Sequence, residues 1–134
     1  MASIHWEELV NVPAEFAWQA LGNVGEPHRL FAGVLVDCSI EGKERTVTFA
    51  NGMVARERIV DIDADTRRVA YAVVDGAFEQ HAASMQIVPA GDGRCRFVWV
   101  SDFLPDDRVE MVLPLVREGS RALVRNLESA MHTP

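Results

Sequence analysis

Glu57, Tyr71, His81 and Ser101 are the residues of this sequence whose types could do chemistry and whose spacing could bring them together. Carboxylate, imidazole and phenol supply proton acceptors and donors. Glu57 is the anomaly. In the run Met53 to Ile62, Arg56 and Arg58 project to one face and meet water. Met53, Ala55, Glu57 and Ile59 project to the other, toward the core. A carboxylate on the apolar side of a strand must find a partner or hold a proton. Its plain reading is a salt bridge to an arginine; its functional one is a carboxylate facing a ligand. His81 reads either as a hydrogen-bonded core or rim histidine or as a general acid/base. Ser101 has no nucleophile motif around it, which argues against covalent catalysis. His5, His28 and His132 share no metal-ligand spacing, so neither a metal nor a cofactor is expected.

The turns set a rough register for these groups. A turn centred on Asp65 places Glu57 opposite Val73. One near Ala77-Phe78 places Val73 near His81. One near Asp92 places His81 opposite Phe103, and Ala83 opposite Ser101. Tyr71 then lies diagonal to both Glu57 and His81, within reach of long side chains. Glu57, Tyr71 and His81 thus form one wall, and they are the candidate catalytic groups. Trp99, Ser101 and Phe103 lie beyond, and Met85 and Cys38 add apolar surface; together these are the candidate ligand-binding residues. One conflict arises at Asn51-Gly52. A two-residue turn there would put Val47 and Phe49 on the face of Arg56 rather than of Glu57. A longer loop, or a bulge after the glycine, removes it.

The elements that must position this wall follow from periodicity. Residues 3–12 read as a strand, with Ile4, Trp6, Val10 and Val12 on one face and Glu8 intruding. Pro13 opens a helix over Ala14 to Leu21. A second short helical turn covers Glu26 to Phe31. Strands follow over Val34 to Ile40 and Arg45 to Phe49, then a hairpin of Met53 to Ile62 and Arg68 to Val74. Gln80 to Val88 and Arg94 to Leu104 make the last hairpin, turning at Pro89 to Gly93. In Arg94 to Leu104, Arg94 and Arg96 point out while Cys95, Phe97, Trp99, Ser101 and Phe103 point in. A long amphipathic helix closes the chain over about Asp106 to Met131. Pro114 should kink it or delay its regular part. The order β-α-α-β-β-β-β-β-β-α implies an α+β fold: a curved, seven-stranded antiparallel sheet around one long C-terminal helix.

At 134 residues the chain reads as one domain, 1–134. Composition is ordinary for a globular protein, with 49% hydrophobic and 25% charged residues. The net charge of -7 argues against nucleic acid and against an anionic membrane, both of which want a basic face. No apolar run approaches the roughly 20 residues of a membrane span. The first residues lack the basic and apolar regions of a signal peptide. Cys38 and Cys95 match no metal or redox spacing, so reduced thiols and a cytoplasmic setting are expected. A monomer or homodimer is expected.

The element order and a set of short motifs resemble the START-like superfamily, also called SRPBCC or Bet v 1-like, and within it the polyketide cyclase/dehydrase group. The resemblance covers nearly the whole chain. Val10-Asn11-Val12-Pro13-Ala14 followed by Trp18 is similar to that family's first strand and helix, and Asp37-Cys38-Ser39-Ile40-Glu41-Gly42 to its second strand. Gly52, Glu57-Arg58, Asp63, Arg67-Arg68 and Tyr71 resemble its central hairpin. Pro89-Ala90-Gly91-Asp92-Gly93 and Trp99 resemble its last one. The resemblance implies a helix-grip fold. The hairpin is also similar to that of the plant abscisic acid receptors, which implies cavity-facing positions for Glu57, Tyr71, His81 and Ala83. The receptor's gate residues are absent at Asp75 to Gln80 and no lysine precedes Val34, so hormone sensing of that kind is not implied.

Two functions of different class follow as expectations. The first is a binding module holding a small lipophilic or aromatic molecule between sheet and helix. The second is a polyketide cyclase/dehydratase-like enzyme with Glu57 or His81 as general acid or base and Tyr71 donating to an enolate oxygen. Binding is favoured, because no triad or metal set forces chemistry and fold does not imply function.

Overall fold

The structure is a computed structural model that describes residues 2–132. The ends of the expected domain, Met1, Thr133 and Pro134, lie outside the described residues. Strand β1 (Ala2–Val10) leads into helices α1 (Ala14–Leu21) and α2 (Pro27–Leu30). Six strands follow: β2 (Leu35–Glu41), β3 (Glu44–Phe49), β4 (Val54–Asp63), β5 (Arg68–Val73), β6 (Gln80–Gly91) and β7 (Arg94–Leu104). A short 3-10 turn, Asp106–Arg108, leads into helix α3 (Val109–Met131). The sheet runs β1-β7-β6-β5-β4-β3-β2, and every neighbouring pair is antiparallel.

The expected register holds where it matters for the wall. Glu57 pairs with Val73, His81 with Phe103 and Ala83 with Ser101. The first of these arises differently from the simple turn arithmetic. The β4–β5 turn pairs Asp63 with Arg68, one residue longer than a turn centred on Asp65 allows, and a register shift between Ile59 and Asp61 restores the pairing. The Asp63 side chain caps that turn by accepting from the N–H of Asp65 at 3.0 Å. At Asn51-Gly52 the loop has three residues rather than two. Phe49 N–H donates to Met53 O at 2.8 Å, and Gly52 adopts φ 90°. Val47 therefore pairs with Ala55, and Arg45 with Glu57.

The concave face carries Val47, Ile59, Val69, Tyr71, Met85, Ile87 and Phe97, which pack with Leu123 and Leu127 of α3 into one core. Removing a side chain such as Leu123, fully buried here, from water stabilises the fold by about 1.5–3 kcal/mol. The buried residues of α3, Val112, Val116, Ser120, Leu123 and Leu127, recur at helical spacing. Arg121 and Arg125 face solvent. Pro114 stands on the exposed side inside α3. There the bond it cannot donate leaves a carbonyl that water reaches. At the other edge, the intruding Glu8 is accommodated by Trp6, whose indole N–H donates to it at 2.6 Å. Strand β6 runs on to Gly91, past the turn expected to start at Pro89, because a register shift between Pro89 and Gly91 absorbs the proline.

Candidate functional site

Between the concave face of the sheet and the first half of α3 lies a cavity of about 210 Å³. Glu57, Tyr71, His81, Met85, Trp99 and Ser101 all line it, as the register implied. Phe103 does not. It is fully buried against Ile4, Phe78, Val112 and Val116, where α3 crosses the end of β7. Cys38 also lies off the cavity, opposite Val47 on β2. Ala83, expected to face it, is buried beside Tyr71 and forms none of its surface.

The polar wall begins with an ion pair. Arg45 Nε donates to Glu57 Oε1 at 2.8 Å, with the side chains 7% and 11% exposed. Arg45 Nη1 donates to the Val24 carbonyl at 2.9 Å, which ties the pair to the segment between α1 and α2. The guanidinium carbon lies 5.7 Å from the Tyr71 ring centroid. Burial pushes the Glu57 carboxyl up from the ordinary carboxylate range, and the Arg45 guanidinium beside it holds that rise back. Arg45 is the residue that sequence reasoning missed. A three-residue loop at Ala50 to Gly52 pairs it with Glu57, so loop length was the signal that could have found it.

Tyr71 is buried, and burial followed by the nearby Glu57 charge pushes its hydroxyl well above the usual phenol range. It is therefore a neutral donor at neutral pH. Its oxygen accepts the Trp99 indole N–H at 3.1 Å. Trp99 is wedged between Phe31, 5.8 Å away, and Phe97, 5.9 Å away. Gly119 of α3 makes room for it: a Cβ there would lie 3.0 Å from the indole.

His81 is held by an unusual donor. The backbone N–H of Val73 donates to its Nδ1 at 3.0 Å. Nδ1 must then be the acceptor and Nε2 carries the proton, which points at Ser101 Oγ, 3.4 Å away. Phe78 and Tyr71 pack against the ring in tilted contacts, with centroids 4.8 and 5.8 Å away. Burial pulls the His81 pKa down, against weaker upward pulls from Asp102 and Asp75. A neutral imidazole results.

Apart from Asp75, the rest of the lining is apolar, including Phe31, Leu35, Phe49, Met53 and Leu115. The exposed lining residues Val54, Asp75 and Met111 mark its mouth. An apolar cavity with a few convergent polar groups is what a small-molecule site requires.

Residues 1–132 match the family described as polyketide cyclase / dehydrase and lipid transport. The chain belongs to that family. No curated protein matches it. Among solved structures, the protein XoxI from Bacillus cereus superposes with a TM-score of 0.87 at 15% identity, over 99% of this chain and all (100%) of that one. Norcoclaurine synthase from Thalictrum flavum, in complex with dopamine and hydroxybenzaldehyde, gives 0.74 at 18% identity, over 99% of this chain and 88% of that one. The di-domain ARO/CYC protein BexL gives 0.82 at 15% identity, over 99% of this chain and 48% of that one. At these identities the likeness shows the fold, which is Bet v 1-like. Among the described residues no helix is long and apolar enough to cross a membrane, and no cluster of metal-binding side chains occurs.

Proposed function

We propose that this member of the polyketide cyclase/dehydrase family binds a small lipophilic or aromatic molecule in the cavity between sheet and α3. The observation that carries the reading is the cavity's composition. Its surface is predominantly apolar, and its polar groups other than Asp75 at the mouth are gathered on one wall, where Glu57, Tyr71, His81 and Ser101 meet. The apolar part supplies affinity and the wall orients one end of the ligand. Membership of a family whose description includes lipid transport supports it. With it go a cytoplasmic setting for the free thiols Cys38 and Cys95, and a monomer or homodimer with no nucleic-acid partner.

Native mass spectrometry of freshly purified protein, with extraction of anything carried along, tests this. A co-purifying apolar molecule that is lost on Ala55→Trp, which fills the cavity from β4, is the expected result. An empty protein with no thermal shift across an aromatic and lipid library would sink it.

A second reading is an enzyme of the cyclase or dehydratase kind, and the state of Glu57 favours it. A buried carboxyl raised above its ordinary range is suited to general-base work. Glu57 would take a proton from carbon next to a carbonyl, and the Tyr71 O–H would donate to the enolate oxygen formed. His81, as neutral imidazole, is the alternative acid/base. Turnover of a polyketone-type substrate that survives Glu57→Gln unchanged would remove Glu57 from that role.

A further inference from the structure

The hydrogen-bonding polarity of the wall and the charge around the cavity go further, and name a ligand class; this rests on the binding reading above. The Tyr71 oxygen already accepts from Trp99, and no described group accepts the Tyr71 proton. Ser101 is in the same state. Its oxygen faces the Nε2–H of His81, because the Val73 N–H occupies Nδ1. Both hydroxyls are buried and line the cavity, so each directs its proton at whatever occupies it. A ligand that displaces water there without accepting these protons leaves buried donors unpaired, at about 1–3 kcal/mol each. The ligand that removes this cost brings an acceptor oxygen.

Charge decides what kind of oxygen. The charged residues lining the cavity are Arg45, Glu57 and Asp75. Arg45, the one cation, is already bonded to Glu57 and to the Val24 carbonyl. Asp75, at the mouth, is a second carboxylate, held by the N–H groups of Arg56 and Ala77. One cation against two carboxylates, in a chain of net charge -7, repels an entering anion. A carboxylate would also shed its hydration with no free cation to compensate it. The volume, about 210 Å³, is below the roughly 300–1,000 Å³ of sites for drug-sized ligands, which favours one or two rings over a long chain.

We infer that the cavity takes an uncharged one- or two-ring compound presenting a carbonyl oxygen to Tyr71 and Ser101, and refuses a carboxylate of the same size. Free fatty acids and aromatic acids are thereby excluded, and neutral aryl ketones and aldehydes are the class selected.

Three probes sharing one ring system test it by calorimetry at neutral pH: methyl naphthyl ketone, naphthalene and naphthoate. The ketone should bind about tenfold more tightly than naphthalene, and naphthoate more weakly than either. Tyr71→Phe should bring the ketone close to naphthalene. Glu57→Gln frees the Arg45 charge, so naphthoate should gain about tenfold while naphthalene binding does not change. If Glu57→Gln does not fold by circular dichroism, the wild-type ranking and Tyr71→Phe decide. Naphthoate binding as tightly as the ketone, or naphthalene doing so, overturns the inference while leaving the cavity reading intact. Failure of all three probes overturns the cavity reading itself, since an accessible apolar cavity must at least take naphthalene.

Discussion

The indole N–H of Trp99 on β7 donates to the hydroxyl oxygen of Tyr71 on β5, 3.1 Å away across the intervening strand β6. This bond fixes where the phenol proton points, and it couples the strand facing α3 to the polar wall. Trp99→Phe removes the donor along with part of the indole's packing, and a cycle separates the two. A double-mutant cycle with Tyr71→Phe should show a coupling of about 0.5–1.5 kcal/mol in urea unfolding. Strictly additive effects would show that the bond contributes nothing.

The Arg45–Glu57 pair is buried on both sides, so breaking it should cost more than a surface bridge does. Arg45→Met leaves Glu57 without its partner and should lower stability by about 3–5 kcal/mol. Replacing both, as Arg45→Met with Glu57→Met, should recover most of that loss, because the cost lies in the orphaned charge. A double variant as unstable as the single one would contradict this.

His81 gives the fold a pH dependence of defined sign. Its folded pKa lies below the ordinary value, so the unfolded chain binds the proton more readily. The stability it contributes is present above the unfolded pKa of about 6.5 and is lost as pH falls through the lower folded value. Melting temperature should therefore drop more steeply on acidification below about 6.5 in the wild type than in His81→Gln. Parallel profiles for the two proteins would rule this out. Glu57 acts in the opposite sense. Its raised pKa contributes stability present at low pH and lost as pH rises through the folded value.

Gly119 sits in a helix interior, where most residues would be more favourable, and the indole explains it. Gly119→Val gains less than about 1 kcal/mol in helix propensity but drives a side chain into Trp99, whose Cζ3 is already 3.0 Å from where a Cβ would stand. Overpacking of this kind costs about 1–3 kcal/mol, so the net change should be destabilising, with a shift in tryptophan emission. A stabilised variant with unchanged emission would mean that the ring moves freely.

Much of this protein was determined by local pattern. Alternation placed Glu57, Tyr71, His81, Trp99 and Ser101 on the inward face, and turn positions paired Glu57 with Val73 and His81 with Phe103. Family membership and the helix-grip order were legible for the same reason, since strand period, turns and amphipathic helix are written in neighbouring residues. Tertiary structure decided the rest. Arg45 became the partner of Glu57 only through the length of one loop, and the Glu57 register survived a longer turn only because a bulge compensated for it. Phe103 and Trp99 are both inward on β7, yet α3 buries the first completely, while against the second it presents only Gly119 and leaves part of the indole on the cavity. Alternation tells which side of the sheet a residue takes. Whether that side is filled or hollow there depends on where a helix far along the chain crosses the curved surface, and no local period encodes that.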